Sequence, residues 1–381
     1  MRIGIDYTAA VRQGGGIGRY TRNLVRALAE LDAENDYTLF VAGGWGEGDG
    51  LGPWPVNFRV RSVPFSDRWV HLLWQRLRLP IPVQAVTGSL DLFHSPDFVL
   101  PPTGRTPALL TVHDLSFLRV PECYVPAFRR YLEGAVARAT SQADHILADS
   151  ESTKRDLEDL LEIEPQRVTV LYPGVEDRGQ PIRTAEVLRA ARVRYALPEH
   201  FVLGLSTIQP RKNFAGLLEG YRRLVQSQSH DPAVADLQLV IAGGKGWMVE
   251  DALAALDEPG LRERVHLTGF FADKDLPALY NLAAVFAFPS WYEGFGLPVL
   301  EAMACGTPVV CADNSSLPEV AAGAALIVDA ADTDALTEAL YRVLCEDDLR
   351  TEMASAGLEK AKAFSWSRAA RQLLAMYRSL V

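Results

Sequence analysis

At 381 residues, the chain is longer than one hydrophobic core usually serves, so two domains of about 150–200 residues each are expected. Hydrophobic residues at 48% and charged residues at 23%, with no low-complexity tract or regular repeat, exclude a disordered chain and a solenoid. The net charge of −10 argues against a general nucleic-acid binder, which needs a basic surface to meet phosphate, so any anionic ligand has to be met locally.

Met1 leads directly into the strand-like run Arg2 to Asp6 with no signal-peptide pattern, and no apolar stretch reaches the roughly 18 residues that span a bilayer. A cytoplasmic protein is expected. From there, short runs rich in Val, Ile, Leu and Phe alternate with segments of helical period, the pattern of parallel α/β sheets. Strands are expected at Arg2 to Asp6, Tyr37 to Val41, Asp91 to His94, Ala108 to Val112, His145 to Ala148 and Val168 to Leu171. The helices between them include Ile17 to Leu31, Ala127 to Ala139 and Ser152 to Leu161.

This series makes residues 1–175 a Rossmann-like domain, followed by a linker region at 176–197 whose start overlaps Pro173 to Pro181, where Gly and Pro break both periods. Residues 198–364 form a second Rossmann-like domain, with strands at Phe201 to Leu205, Leu237 to Ala242, Val265 to Leu267, Val285 to Phe288, Pro308 to Cys311 and Ala325 to Val328. The amphipathic helix Trp366 to Leu380, within 365–381, needs an apolar surface to cover, and the first domain is the expected partner. Two doubly wound sheets in tandem present ligands with the carboxyl ends of their strands, so the cleft between them is the expected site. Cys123, Cys305, Cys311 and Cys345 are scattered without metal-ligand spacing and read as reduced packing residues.

The strongest chemical signal runs from Phe288 to Gly306. A strand end is followed by Glu293-Gly294-Phe295-Gly296-Leu297-Pro298-Val299-Leu300-Glu301, in which Pro298 suits the first turn of a helix. Glycines that expose backbone N–H groups, next to a helix N-terminus, suit a diphosphate. Carboxylates cannot bind phosphate but do accept hydrogen bonds from sugar hydroxyls, so Glu293 and Glu301 are placed to hold a hexose and a ribose. Taken alone, Glu301 is equally explained as a carboxylate favoured by the helix dipole.

Glu293 and Glu301, with seven residues between them, resemble the hallmark of glycosyltransferase family 4, a retaining family of GT-B fold, and the resemblance runs over nearly the whole chain. It implies an α/β protein of two Rossmann-like domains, the first binding the acceptor and the second the donor, with a C-terminal helix returning to the first. It also implies that Glu293 contacts the transferred sugar, that Gly294, Phe295, Gly296 and Leu297 lie along the sugar and diphosphate, and that Glu301 binds the ribose.

A second signal is Ser206-Thr207-Ile208-Gln209-Pro210-Arg211-Lys212-Asn213, after the first strand of the second half. Two adjacent cations at a strand end suit a leaving nucleoside diphosphate, whose charge grows as its bond to the sugar breaks. In isolation such a pair is more often just solvated, but the resemblance makes Arg211 and Lys212 catalytic. Family members often carry an arginine where Ser206 stands, so Arg211 is expected to take part of its role.

In the first half, Gly14-Gly15-Gly16-Ile17-Gly18 opens a helix. No acidic residue follows at the distance a dinucleotide fingerprint requires, and the resemblance places Gly15 and Gly16 over the donor phosphates. His113 ends a strand, where it is positioned to hydrogen-bond the donor sugar or acceptor, and the family carries a histidine at this place. In Asp149-Ser150-Glu151-Ser152, Ser152 is the expected helix cap and Ser150 the candidate cleft contact. The triplets Asp273-Lys274-Asp275 and Asp332-Thr333-Asp334 read as helix caps rather than metal ligands, so no metal and no cofactor is expected.

The segment from Pro55 to Pro82 holds Arg59, Arg61, Arg68, Arg76 and Arg78 against the single acid Asp67, with Trp69 and Trp74 among them. A stretch of this charge suits either anionic lipid head groups or a solvated helix.

The expected partners are a nucleotide-sugar donor, GDP-mannose as the first choice, and a glycan, lipid-linked or small-molecule acceptor, with peripheral docking on the inner, anionic membrane face as one of the two readings of the basic segment, and no nucleic acid. An epimerase of the same architecture and a sugar-nucleotide-binding protein are the alternatives to a mannosyltransferase of polysaccharide assembly.

Overall fold

The computed structural model describes residues 1–43, 53–65, 69, 73–74, 77, 79–175, 180–182, 184–250, 254–258 and 260–381. The chain divides into two compact units, one of Met1–Leu115, Ala127–Gly174 and Ser365–Val381, the other of Ser116–Pro126 and Val175–Phe364.

The first unit is built on a parallel sheet of β1 (Arg2–Asp6), β2 (Asp36–Ala42), β3 (Phe58–Val63), β4 (Leu92–Ser95), β5 (Ala108–Val112), β6 (His145–Ala148) and β7 (Val168–Val170), in the order β3-β2-β1-β4-β5-β6-β7. The order reverses between β1 and β4, the place where doubly wound sheets bind ligands. Every residue of β5 is buried, as expected of a strand covered by helices on both faces. Helix Gly16–Leu31 packs Tyr20, Leu24, Val25 and Leu28 onto Ile3, Ile5 and Leu39, and helix Trp366–Leu380 adds Trp366, Leu373 and Tyr377 to the same core. At the polar centre of this unit the His94 ring bonds Tyr377 Oη at 2.8 Å and Thr111 Oγ1 at 3.0 Å, tying the last helix to β4 and β5.

The second unit holds β8 (Phe201–Leu205), β9 (Gln238–Ala242), β10 (Val265–Gly269), β11 (Val285–Phe288), β12 (Val309–Ala312) and β13 (Leu326–Val328), in the order β10-β9-β8-β11-β12-β13. All its pairings are parallel, and the reversal falls between β8 and β11. Its core brings Val202, Leu239, Val285 and Val310 together with Leu217, Tyr221, Leu340 and Val343.

Three expectations need correction. Ser116–Pro126 belongs to the second unit rather than the first, with the Trp247 indole donating to the Cys123 carbonyl at 2.8 Å. The expected linker at 176–197 is largely part of the second unit: it contains helix Ala185–Arg194, Ile182 N–H donates to Asn281 at 2.8 Å, and Ala191 and Leu197 are buried. Residues 176–179 and 183 lie outside the described residues.

The third concerns the basic segment, which opens with the edge strand β3, while its described residues 69 and 73–74 are helical. Phe58 and Val60 alternate with the exposed Arg59 and Arg61, a period of two in which edge charges discourage pairing with another chain. Arg68, Arg76 and Arg78 lie outside the described residues. Of the cysteines, Cys123, Cys305 and Cys311 are buried but Cys345 is exposed, so packing does not account for the last. Among the described residues, no helix is long and apolar enough to cross a membrane.

Candidate active site

The loops at the carboxyl ends of β8, β11 and β12 meet in the second unit. After β8, the 3-10 turn Pro210–Lys212 carries both cations, and Asn213 at φ 53° starts helix Phe214–Ser227 by accepting from Gly216 N–H through Oδ1. After β11, the chain reaches Gly296 at φ 97°, which opens helix Leu297–Ala304. This left-handed φ favours glycine, and a Cβ there would also fall 2.7 Å from Leu317. The two loops are joined by Trp291 N–H donating to the Arg211 carbonyl at 2.8 Å.

Glu293 is where the two loops exchange charge. Lys212 Nζ donates to both its carboxylate oxygens, at 2.6 and 2.8 Å, while Arg211 Nη1 donates to the Tyr292 carbonyl at 2.7 Å and to Glu293 Oε2 at 3.3 Å. The side chains of Arg211, Lys212 and Glu293 keep only 12%, 9% and 7% of their exposure, so the charges act through a poorly screening medium. Two cations share one carboxylate. The Lys212 ammonium also lies 5.2 Å from the centroid of the Phe288 ring, within cation–π range.

Glu301, on the helix that follows, is buried and accepts from Tyr280 Oη at 3.0 Å, so it is more than a dipole-favoured surface carboxylate. Gly294, Phe295 and Gly296 are buried, and the Phe295 ring packs edge-on to Phe364. Leu297 is the first residue of the helix. Gln209 Oε1 and Ser290 Oγ, one in each loop, are buried without a hydrogen-bonding partner among the described residues, which is uncommon for polar atoms away from a ligand or ordered water.

The first unit assembles its own cluster around His113, after β5. Nδ1 lies 2.7 Å from Asp149 Oδ2, after β6, and Nε2 lies 3.1 Å from the Pro96 carbonyl, after β4. A carbonyl only accepts, so Nε2 carries a proton, and the carboxylate holds another on Nδ1. Burial disfavours the imidazolium, but the charge and hydrogen bond of Asp149, with Asp97 and the Pro96 carbonyl, outweigh it and lift His113 to about 9. Burial pushes the Asp149 carboxyl above the usual range, against the pull of His113. The His113 ring thus bonds protein groups through both nitrogens, Asp149 and the Pro96 carbonyl, and a bond to the donor sugar or acceptor would replace one of them. Tyr20 meets it edge to face at 4.8 Å.

The capping roles around Asp149 are reversed. Ser150, not Ser152, caps helix Glu151–Leu161, its Oγ accepting from Thr153 N–H at 3.0 Å, and it is fully buried. Its hydroxyl is spent on the cap, which corrects the candidate cleft contact, and Ser152 lies inside the helix. Gly15 precedes helix Gly16–Leu31, and a Cβ on Gly15 or Gly16 would meet nothing within 4 Å. Crowding is instead at Gly18, where a Cβ would come 1.9 Å from the Gln13 carbonyl.

Of the Asp triplets, Asp332 caps helix Thr333–Cys345 while Asp334 pairs with Arg223. Asp275 makes no side-chain cap and accepts instead from Arg194 at 2.8 Å and Tyr195 Oη at 2.7 Å, which corrects its assignment as a cap. Sequence reasoning did not pick out Tyr280, His94 or the Asn314-Ser315-Ser316 loop. The Asn-Ser-Ser run after a strand was a turn signal, but nothing local to it indicated what it would hold.

A family model described as "Glycosyltransferase Family 4" matches residues 14–178, and one described as "Glycosyl transferases group 1" matches residues 192–360. The O-antigen chain mannosyltransferase B of Escherichia coli is 32% identical over 375 residues, covering 96% of each chain. The sucrose-phosphate synthase of Thermosynechococcus elongatus has a TM-score of 0.76 at 22% identity, over 100% of this chain and 99% of that one. Anabaena HepE, in complex with UDP and glucose, has a TM-score of 0.73 at 19% identity over the same shares. These last two likenesses concern the fold. With its sheet orders, its helix returned to the first unit and the loops that gather Arg211, Lys212 and Glu293, the chain belongs to glycosyltransferase family 4, of GT-B fold, and is a glycosyltransferase of the hexosyltransferase class.

Proposed function

We propose that the enzyme transfers mannose, with retention of anomeric configuration and without a metal ion, from GDP-mannose to a glycan or lipid-linked glycan. The observation that carries the reading is the buried trio of Arg211, Lys212 and Glu293 at the point where the second sheet reverses. Its excess positive charge, beside the N-terminus of helix Leu297–Ala304, suits a nucleoside diphosphate. As the diphosphate takes up Arg211 and Lys212, the Glu293 oxygens turn to the sugar hydroxyls, and Glu301, backed by Tyr280, accepts from the ribose.

In the transfer, the bond between the anomeric carbon and the phosphate oxygen breaks, and one to the acceptor oxygen forms on the same face. The acceptor's proton passes to a phosphate oxygen, and the cations hold the charge that the departing diphosphate gains. Mannose is supported by the name of the Escherichia coli relative, which is a mannosyltransferase. Docking on an anionic membrane rests on the excess of arginine between Pro55 and Pro82. A thermal-shift screen of nucleotide sugars is the primary test: GDP-mannose is expected to raise the melting temperature most, by mass action. NMR of the product formed in EDTA is expected to show the donor's anomeric configuration. An inverted product, or activity lost to EDTA and restored by Mg²⁺ or Mn²⁺, overturns the retaining or the metal-free part respectively.

A further inference from the structure

The loop after β12 grips the peptide of Glu293 on both sides. Glu293 N–H donates to Ser315 Oγ at 2.8 Å, and Ser316 Oγ donates to the Glu293 carbonyl at 2.9 Å. Ser315 Oγ donates in turn to Asn314 Oδ1 at 3.0 Å, and Asn314 Nδ2 donates to the Ser290 carbonyl at 3.0 Å. The chain of bonds therefore begins and ends on the loop that carries Glu293. Ser290 and Ser316 are fully buried, so the Ser316–Glu293 bond is sheltered from water, while the bonds of Asn314 and Ser315 are part-buried.

Ser315 takes φ 51°, in the left-handed region. For a residue with a Cβ this costs about 1–2 kcal/mol, and it persists only where the surroundings over-determine it. The turn alone would be better served by glycine. What a glycine could not supply is the hydroxyl that receives the Glu293 N–H. Across the site, Asn213 at φ 53° adjoins Lys212, so left-handed residues sit at both ends of the Lys212–Glu293 pair. Neither Asn213 nor Ser315 contributes a charge; each fixes the backbone beneath one.

The structure assigns Asn314, Ser315 and Ser316 as positioning residues that fix the Glu293 backbone and so aim its carboxylate, at Lys212 in the free enzyme and at the transferred sugar in turnover. This rests on the reading of Glu293 as the contact to the donor sugar. A misplacement of about 1 Å in a reacting constellation can cost about 100-fold in rate, and the clamp restrains a displacement of that size.

Ser315→Gly is the informative variant, because it removes the hydroxyl while relieving the strain. If the residue were merely structural, the variant would be neutral or more stable. As a positioning residue, its loss is expected to lower kcat at least ~10-fold, with donor KM within about 2-fold and an unchanged or higher Tm. Ser316→Ala is expected to lower kcat in the same way, and Ser316→Thr, which keeps a hydroxyl, to restore most of it. Wild-type kcat in Ser315→Gly, or a kcat loss that simply follows a falling Tm, overturns the assignment. Glu293→Ala measured alongside separates the two levels. If it is inactive while Ser315→Gly is fully active, only the clamp fails; if it is itself active, the reading of the site fails and takes the clamp with it.

Discussion

Lys212 and Glu293 are a buried pair whose partners are joined by two short hydrogen bonds, and Arg211 provides the second cation. Such groups act most strongly on charge that develops during reaction, so Lys212→Ala and Glu293→Ala are each expected to lower turnover at least ~100-fold, the scale of one lost transition-state contact. Because opening a buried pair also costs about 3–5 kcal/mol, melting curves are recorded with the kinetics; a folded variant with near-wild-type rates removes its residue from the mechanism. His113 and His94 set a second expectation, for pH. His113 rises from 6.5 to about 9, so its pairing with Asp149 stabilises fully below 6.5 and is lost as pH climbs through about 9. His94 is held at about 3 by burial and by the neighbouring charge of His113. Below 6.5 the unfolded chain takes up a proton that the folded ring refuses, so stability falls again towards acid. The melting temperature is therefore expected to drop on both sides of neutrality, with the alkaline limb flattened in His113→Gln; an unaltered alkaline limb in that variant contradicts the ion pair.

Among elements, helix Trp366–Leu380 shows how an apolar stripe finds its partner. Leu373 and Tyr377 are fully buried in the core that holds Ile3, Ile5 and Leu39. Leu373→Ala is expected to destabilise by about 2–5 kcal/mol, the range for emptying a buried leucine site; urea unfolding monitored in the first unit measures it, and a loss under about 1 kcal/mol would mean that the helix docks loosely. The helix was legible in the sequence because its period of 3.6 is a local property. The strand β3 was not, since the basic charge of Arg59 and Arg61 masks the alternation of Phe58 and Val60. The Ser150 cap was misassigned to Ser152 for a similar reason: both serines suit the role, and only the register of the first helical turn chooses between them.

For the whole molecule, the net charge of −10 makes the arginine-rich stretch between Pro55 and Pro82 a local exception. If it meets a membrane, binding requires anionic lipid and fades with salt, since each cation near such a surface contributes about 1 kcal/mol. Sedimentation with anionic vesicles at low salt is expected, with little on neutral vesicles, and changing Arg68, Arg76 and Arg78 together to Gln is expected to abolish it without altering donor affinity. Failure of the wild type to sediment makes the stretch a solvated face and a soluble acceptor the better reading. The sequence by itself determined the alternation of strand and helix, the glycine-bearing loop before helix Leu297–Ala304 and the residue types at the strand ends, because each depends on near neighbours along the chain. Only the tertiary structure decided which of those residues act together. Lys212 meets Glu293 across 81 positions of sequence, His113 meets Asp149 across 36, and Ser315 holds Glu293 across 22. Such pairings follow from parallel strands that return their loops to one edge of a sheet, a property of strand order that no local pattern records.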